Sequence, residues 1–401
     1  MTDTQPVLVV NAGSSSLKYQ VIDARSGRTA ASGQVDRIGG AGRLTHTVGG
    51  ETHERDVSCP DHATALEAAR DALREHGPDL AELGLFAVGH RVVHGGQRFT
   101  EPVLVDDDVV AAITDLVPLA PLHNPANLEG IRSARRSFPD VPQVAVFDTA
   151  FHQTVPPRAH TYAVPAQWRD QHHVRRYGFH GTSHRFVSRR TAQLLGRRPE
   201  DCNVIVLHLG NGASACAVRG GRSVDTSMGL SPLEGLVMGT RSGDVDPALG
   251  GYLARVAGLD PTAYDEALNK ASGLLGLAGI SDLRELEERR TAGDEDAALA
   301  FEVMVYRLVK YVGAYAVALG HVDAIAFTGG IGENSAPVRG AVLGSLGLLG
   351  VVLDEPANAG GVPERRVTGP GSRIPAYVVP TNEELEIARA CLAVLEGPGR
   401  V

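Results

Sequence analysis

Three short apolar runs along this chain each end in a polar, glycine-rich stretch. Residues 7–10 lead into Asn11-Ala12-Gly13-Ser14-Ser15-Ser16, and residues 204–209 into Gly210-Asn211-Gly212-Ala213-Ser214. Residues 324–327 lead into Thr328-Gly329-Gly330-Ile331-Gly332-Glu333-Asn334. Short apolar runs bounded by Gly and Asn read as buried strands that end in turns. The first two junctions resume as a second extended segment, residues 17–22 and 213–219. Strand, Gly/Ser turn, strand is thus written twice. It reads either as an internal duplication, two related α/β domains each opening on a hairpin, or as two ordinary hairpins that happen to look alike.

Helical spacing alternates with these runs. Val109, Ile113, Leu116 and Val117 fit one helix, ended by Pro118. Phe301, Val305, Leu308, Val312, Tyr315 and Leu319 recur every three or four positions and predict a long amphipathic helix over residues 297–319. Residues 143–147 predict a strand ending at Asp148, and residues 377–379 a strand followed by a last helix from Glu383. The mixture is α/β. A chain of 401 residues exceeds what one core usually holds, so two domains are expected. The boundary is placed near residue 150. Residues 1–150 are expected to form the N-terminal domain and residues 151–383 the second, and this pattern does not say where the last helix packs.

Composition narrows the classes. The hydrophobic fraction is 43% and the charged fraction 21%, ordinary globular usage. No apolar run approaches the roughly 18 residues of a membrane helix, and the N-terminus lacks a secretory pattern, so a cytoplasmic protein is expected. Cys59, Cys202, Cys216 and Cys391 form no CxxC pair and suit a reducing compartment. A net charge of −9 with scattered Lys and Arg argues against nucleic acid or anionic membranes as partners.

Phosphate chemistry fits the turns better than it fits either common nucleotide motif. No GxxxxGK[ST] occurs. Gly210-Asn211-Gly212-Ala213-Ser214-Ala215 matches the loose dinucleotide pattern, but that pattern needs a helix next, and Arg219-Gly220-Gly221-Arg222 is a turn. A Gly/Ser/Asn hairpin turn still lets backbone N–H groups and hydroxyls approach an anion. Two such hairpins would hold a polyphosphate, and the turn 329–334 would offer a bare surface to adenine and ribose. Arg91, His94, His180, His184, Arg241 and Asp148 lie among glycines or beside strand ends, where side chains reach a cleft. Singly, each could be a surface arginine or a satisfied core histidine. Zinc at His180 and His184 is disfavoured, because HExxH is missing and Gly181 intervenes.

Nine segments carry a resemblance. In order they are NAGSSSLK from Asn11, GHRVVHGG from Gly89, PLHNPAN from Pro121, VFDTAFHQT from Val146 and YGFHGTSH from Tyr177. HLGNGAS from His208, DTSMGLSPLEGLVMGTRSGDVDP from Asp225, FTGGIGEN from Phe327 and PTNEEL from Pro380 follow. Together they closely resemble the acetate kinases, within the acetate/sugar kinase, Hsp70 and actin superfamily.

The resemblance implies two related ribonuclease-H-like (βββαβαβα) domains with an interdomain active-site cleft, and a homodimer. It implies that a C-terminal helix at about 384–401 completes the N-terminal domain, residues 1–150, and that residues 151–383 form the C-terminal nucleotide-binding domain. It implies reversible, direct in-line phosphoryl transfer between ATP and acetate, giving acetyl phosphate and ADP. Magnesium is the implied ion, with manganese as its substitute. Carried over by motif, Asn11 and Glu383 handle the metal, Glu384 being the neighbouring alternative. Lys18 contacts nucleotide phosphate. Arg91 binds the carboxylate, and Val93, Leu122, Phe179 and Pro232 line the methyl pocket. His180 and Arg241 stabilise the transferring phosphoryl group, with Asp148 the acidic catalytic residue. His208, Leu209, Gly210, Asn211, Gly212, Asp282, Leu283, Arg284, Gly330, Ile331, Gly332, Glu333 and Asn334 contact ATP.

The chemistry these residues face is charge repulsion. Like charges about 4 Å apart repel by about 4 kcal/mol at an effective dielectric near 20, which Arg91, Arg241, His180 and the metal answer. A carboxylate nucleophile has no proton to remove. Asp148 is therefore expected to orient an arginine or histidine, or to hold metal-bound water, rather than to act as a general base. The rivals are a propionate or other short-chain carboxylate kinase with the same machinery, and a nucleotide-driven binding protein of the Hsp70 or actin type.

Overall fold

The computed structural model describes residues 4–397, so the final residues of the helix expected to reach 401 lie outside the described residues. The described chain divides into two compact units. One takes the chain up to Phe151 and again from Asn382, and the other comprises His152–Thr381.

The first unit is built on β1 (Pro6–Ala12), β2 (Ser16–Asp23), β3 (Thr29–Asp36), β4 (Gly40–Val48), β5 (Glu51–Cys59), β6 (Ala87–Val92), β7 (Val103–Leu104) and β8 (Gln143–Phe147). Their order in the sheet is β5-β4-β3-β2-β1-β6-β8-β7. Inward residues of the hairpins, among them Leu8, Val10, Leu17, Tyr19, Val35 and Leu44, pack with Leu66 and Leu73 of the helix His62–His76.

The second unit carries β9 (Asn203–Leu209), β10 (Ala213–Arg219), β11 (Arg222–Thr226), β12 (Ala324–Thr328), β13 (Arg365–Arg366) and β14 (Ala376–Val378) in the order β11-β10-β9-β12-β14-β13. The helix Glu295–Leu319 buries Phe301, Val305, Leu308, Val312, Tyr315 and Leu319, the stripe its periodicity predicts.

The duplication is visible in how the strands pair. In the first unit β3-β2-β1 are antiparallel and β1-β6-β8 parallel. In the second, β11-β10-β9 are antiparallel and β9-β12-β14 parallel. The same five-strand pattern is thus built twice, each around a strand that ends at a Gly-rich turn.

Several details differ from the sequence expectation. The first unit opens with five antiparallel strands rather than three. The added β5 faces solvent along most of its length, so it lacks the apolar alternation that marks a half-buried strand. Residues 329–334 form a one-and-a-half-turn helix, Gly329–Asn334, not an open turn. Gly329 enters it at φ +77, where a Cβ would meet Leu209 O at 2.7 Å. The helix expected to end at Pro118 is Asp107–Asp115, and Val117–Leu119 form a separate 3-10 turn.

The last helix, Glu383–Glu396, packs on β6 and β1 of the first unit. Contact is close at Gly89, where a Cβ would lie 2.7 Å from Ile387 Cγ2 and 2.9 Å from Cys391 Sγ. Gly89→Ala should therefore destabilise the fold by about 1–3 kcal/mol through overpacking. Urea unfolding should show a lower midpoint at an unchanged slope, and an unaltered midpoint would mean that the helix can give way.

The four cysteines are free and buried. No helix among the described residues is long and apolar enough to cross a membrane.

Candidate active site

Each unit gathers its own set of the residues singled out from sequence. In the first unit, β1 and β2 pair so that Asn11 stands opposite Lys18, with the hairpin turn closed by Gly13 N–H donating to Ser16 O at 2.8 Å. β6 and β8 run parallel, with Arg91 in register with Val146. Asp148 continues the pairing beyond β8, its N–H donating to Val92 O at 2.9 Å. Parallel registry therefore sets Arg91 and Asp148 side by side.

The Arg91 guanidinium grips Asp148 through Nε (3.0 and 3.2 Å) and Nη2 (2.7 Å). Its Nη2 also lies 3.6 Å from Glu383 Oε2, at the first turn of the final helix. Burial works against the charge on Arg91, but Asp148 and Glu383 outweigh it and hold the pKa above the usual arginine value. Burial pushes the Glu383 carboxyl up, with Asp148 adding to the rise and Arg91 and Lys18 opposing it. Glu383 Oε2 is buried without a hydrogen-bond partner. The Asp148 carboxylate thus fixes the plane of the Arg91 guanidinium.

Sequence reasoning passed over the residues that hold these strand ends. Asn127, on the helix Asn124–Ser137, donates through Nδ2 to Ala12 O at 2.7 Å and accepts Val93 N–H through Oδ1 at 3.0 Å. Asn124 clamps His94 in the same way, Oδ1 accepting its N–H and Nδ2 donating to its carbonyl, both at 3.1 Å. Both asparagines stand in the PLHNPAN segment, in which the resemblance points to Leu122 alone. Leu122 is 61% exposed, whereas Val93 is half-buried.

In the second unit, His180 sits at the head of the helix Gly181–Leu194 with φ +56, a left-handed conformation uncommon outside glycine. Its ring stacks on His208 with centroids 4.3 Å apart. His208 Nδ1 is 2.8 Å from Ser183 Oγ, which also meets Thr381 Oγ1 at 2.9 Å. A Cβ on Gly212 would lie 3.5 Å from Arg241 Nη1 and 3.8 Å from His180 Nε2, so both side chains converge over the hairpin turn.

Arg241 is half-buried, and no carboxylate among the described residues lies within ion-pair distance of it. Its Nη1 reaches only Pro232 O at 3.4 Å and Met238 Sδ at 3.8 Å. Burial lowers its pKa from the usual arginine value. A desolvated cation without a counter-ion is poised for an anion from outside. The loop that carries it is pinned at its base. Gly235 N–H donates to Asp244 Oδ1 at 2.8 Å, Asp244 N–H to Gly235 O at 3.0 Å, and Arg307 Nη1 to Gly235 O at 3.0 Å.

Beside this turn lies a cavity of about 810 Å³ lined by Gly210, Asn211, Asp282, Leu283, Arg284, Gly330, Ile331 and Asn334. Three segments far apart in sequence and assigned to the nucleotide thus share one wall. Ser281, Glu287 and Ser335 also line it and carried no sequence signal. His208, Leu209, Gly212, Gly332 and Glu333 are not part of the lining. The Glu333 carboxylate turns back, Oε1 accepting from Gly329 N–H at 2.9 Å and Thr381 N–H at 3.2 Å. Arg339, fully buried, donates to Gly332 O at 2.9 Å and Glu333 O at 3.0 Å and so caps the short helix. Phe179 is 2% exposed, and its carbonyl accepts from His152 Nε2 at 2.9 Å. Pro232 is half-buried.

Comparison with known proteins agrees across nearly the whole chain. A family model described as the acetokinase family matches residues 6–389. An acetate kinase of Streptomyces avermitilis is 57% identical over 393 residues, covering 97% of each chain. The crystal structure of Porphyromonas gingivalis acetate kinase superposes with a TM-score of 0.93 at 43% identity, covering 98% of this chain and 100% of that one. A propionate kinase from Francisella tularensis superposes with a TM-score of 0.91 at 41% identity, covering 96% of this chain and 98% of that one.

Proposed function

This chain belongs to the acetokinase family, and from that premise we propose that it moves a phosphoryl group reversibly between ATP and acetate by direct in-line transfer. The observation that carries the reading is Arg241: a half-buried guanidinium with no carboxylate partner among the described residues, meeting His180 over the Gly212 turn beside the 810 Å³ cavity. ATP occupies that cavity, its adenosine against Asp282–Arg284 and the helix Gly329–Asn334, its phosphates toward Gly210–Gly212. Arg241 and His180 hold the transferring group. Lys18, opposite Asn11 on the β1–β2 hairpin, contacts nucleotide phosphate.

Arg91 receives the carboxylate of acetate. Asp148 occupies its Nε edge and part of Nη2, which leaves the Nη1 hydrogens for the substrate and fixes the plane in which they point. Phosphoryl transfer asks little covalent work of a protein, so orientation and charge neutralisation carry the rate. Because acetate arrives ionised, no step removes a proton from it.

The residues fit a divalent cation. Among the described residues no cluster of three or more His, Cys, Asp or Glu could cage a metal, but Mg²⁺ commonly uses one or two carboxylates and leaves its other positions to water and phosphate. Glu383 offers a buried carboxylate oxygen without a hydrogen bond, with Asp148 adding to the negative charge around it. Glu383 and Asn11 would hold the ion, magnesium or manganese, and Glu384 has no comparable orphaned oxygen. When bound, the ion neutralises charge on the nucleotide phosphates.

The protein works in the cytoplasm as a homodimer. Leu299, Tyr306 and Val317, exposed by 52%, 67% and 83%, recur on one face of the helix Glu295–Leu319, a surface that a second copy would cover.

Acyl-hydroxamate formation from carboxylate, ATP and hydroxylamine tests the reading. Acetate should have the highest kcat/KM, with propionate lower by roughly 10- to 200-fold, the range one methylene is worth in an apolar pocket. Propionate exceeding acetate would move the assignment to a propionate kinase. No hydroxamate from acetate, propionate or butyrate would remove the reaction.

A further inference from the structure

Two imidazoles meet on one buried hydroxyl. Ser214 Oγ lies 2.9 Å from His180 Nδ1 and 2.7 Å from His184 Nε2. Ser214 belongs to β10 and His184 to the helix Gly181–Leu194, and both are fully buried. A hydroxyl has one proton to give and two lone pairs to receive with, so it can donate to only one of the two rings. These two are its only hydrogen bonds among the described residues. If both rings donated, the buried Ser214 proton would go unmet, so the order that satisfies it has one bond running into the oxygen and the other out.

His184 sets the direction. Burial, with His152 and His208 nearby, pushes its pKa well below the usual histidine value, so the ring is neutral and bears a single N–H. Its Nδ1 is buried without a hydrogen-bond partner. Were the proton on Nδ1, a buried donor would be orphaned, an arrangement native interiors rarely tolerate. With the proton on Nε2, the ring donates to Ser214, and only a lone pair goes unmet.

The rest follows by counting hydrogens. Ser214, already accepting from His184, turns its own proton to His180 Nδ1. That nitrogen must then carry a lone pair, and the His180 proton sits on Nε2, the nitrogen that shares the Gly212 turn with Arg241.

We propose that His184 and Ser214 act as positioning residues that order the protons so that His180 presents Nε2–H, as a hydrogen-bond donor, to the transferring phosphoryl group. The inference rests on the phosphoryl-transfer reading for what Nε2–H meets, but the tautomer itself does not depend on it. His180 is on this account a neutral donor fixed in plane, not a proton shuttle. Arg241 supplies the positive charge, and the imidazole supplies direction. The same logic explains why a serine is useful at a fully buried strand position, where an apolar residue would pack without leaving polar atoms to satisfy.

The test has two parts. In histidine ¹⁵N-labelled protein, two-bond ¹H–¹⁵N correlation reports which ring nitrogen carries the proton, and the His180→Gln variant assigns the His180 signals. The expected pattern is Nε2–H at His180 and Nε2–H at His184. An Nδ1–H tautomer at His180 in the wild-type protein would overturn the inference, whether or not the enzyme is active.

In steady-state kinetics, Ser214→Ala should lose about 10- to 100-fold in kcat, the size typical when the partner orienting a functional histidine is removed. Neither KM should change much, and Ser214→Thr, which restores the hydroxyl, should recover most of the loss. An unchanged kcat in folded Ser214→Ala would also overturn it. If Ser214→Ala does not fold, the wild-type tautomer decides alone. Absence of hydroxamate formation by the wild-type protein would remove the phosphoryl-transfer reading while leaving the proton order open to the same spectrum.

Discussion

Arg241→Ala should lower kcat by about 100- to 1000-fold, the usual consequence of deleting one preorganised donor to transition-state charge, while the KM values for ATP and acetate change little. The expectation comes from what the side chain lacks. It is half-buried, no described carboxylate pairs with it, and its loop is tied at the base through Gly235, Asp244 and Arg307. Its cost of burial is already met in the free protein, so an arriving phosphoryl group gains the full interaction without first breaking an ion pair. Arg241→Lys should recover little, because an ammonium cannot reproduce the planar fork at the same point. Near-normal kcat in Arg241→Ala would remove this residue from the reacting centre.

The second large effect is expected at Asp148. Asp148→Asn keeps the shape but removes the charge that holds Arg91, leaving the guanidinium to swing toward Glu383, 3.6 Å away. Breaking one partner of a buried pair typically costs about 3–5 kcal/mol, and here part of that loss should emerge as a higher KM for acetate together with a lower kcat. Two residues acting as one unit give strongly non-additive effects. Arg91→Ala with Asp148→Asn should therefore be scarcely worse than Arg91→Ala alone. Independent, multiplying losses, with an acid limb of kcat that moves in Asp148→Asn, would instead assign Asp148 a proton-transfer role.

The strand-to-turn junctions were legible in the sequence because burial and backbone freedom leave local marks. Apolar runs such as 204–209 and the glycines that follow them are set by neighbours in the chain. The long helix Glu295–Leu319 was legible for the same reason, its buried stripe being periodic. β5 was not, since its residues mostly face solvent and alternate only weakly. The pairing of Arg91 with Asp148 was open among three alternatives, because parallel registry between β6 and β8 is a long-range fact. Asn124, Asn127 and Ser214 could not be read at all. Each acts by hydrogen bonds to residues 30 or more positions away, and no periodicity records such a bond. Residues 329–334 were misjudged in conformation, since three glycines argue for a turn but do not forbid a short helix capped by Arg339.

The central claim of the proposed function is that His180 and Arg241, converging over the Gly212 turn, hold the transferring phosphoryl group. A crystal structure with ADP, Mg²⁺, acetate and a fluoroaluminate in place of the transferring group tests it most directly. The account predicts His180 Nε2 and Arg241 nitrogens about 3 Å from the fluoroaluminate ligands, with ADP in the cavity beside Gly210 and Asn211. A fluoroaluminate bound away from the Gly212 turn, with neither His180 nor Arg241 touching it, would contradict it.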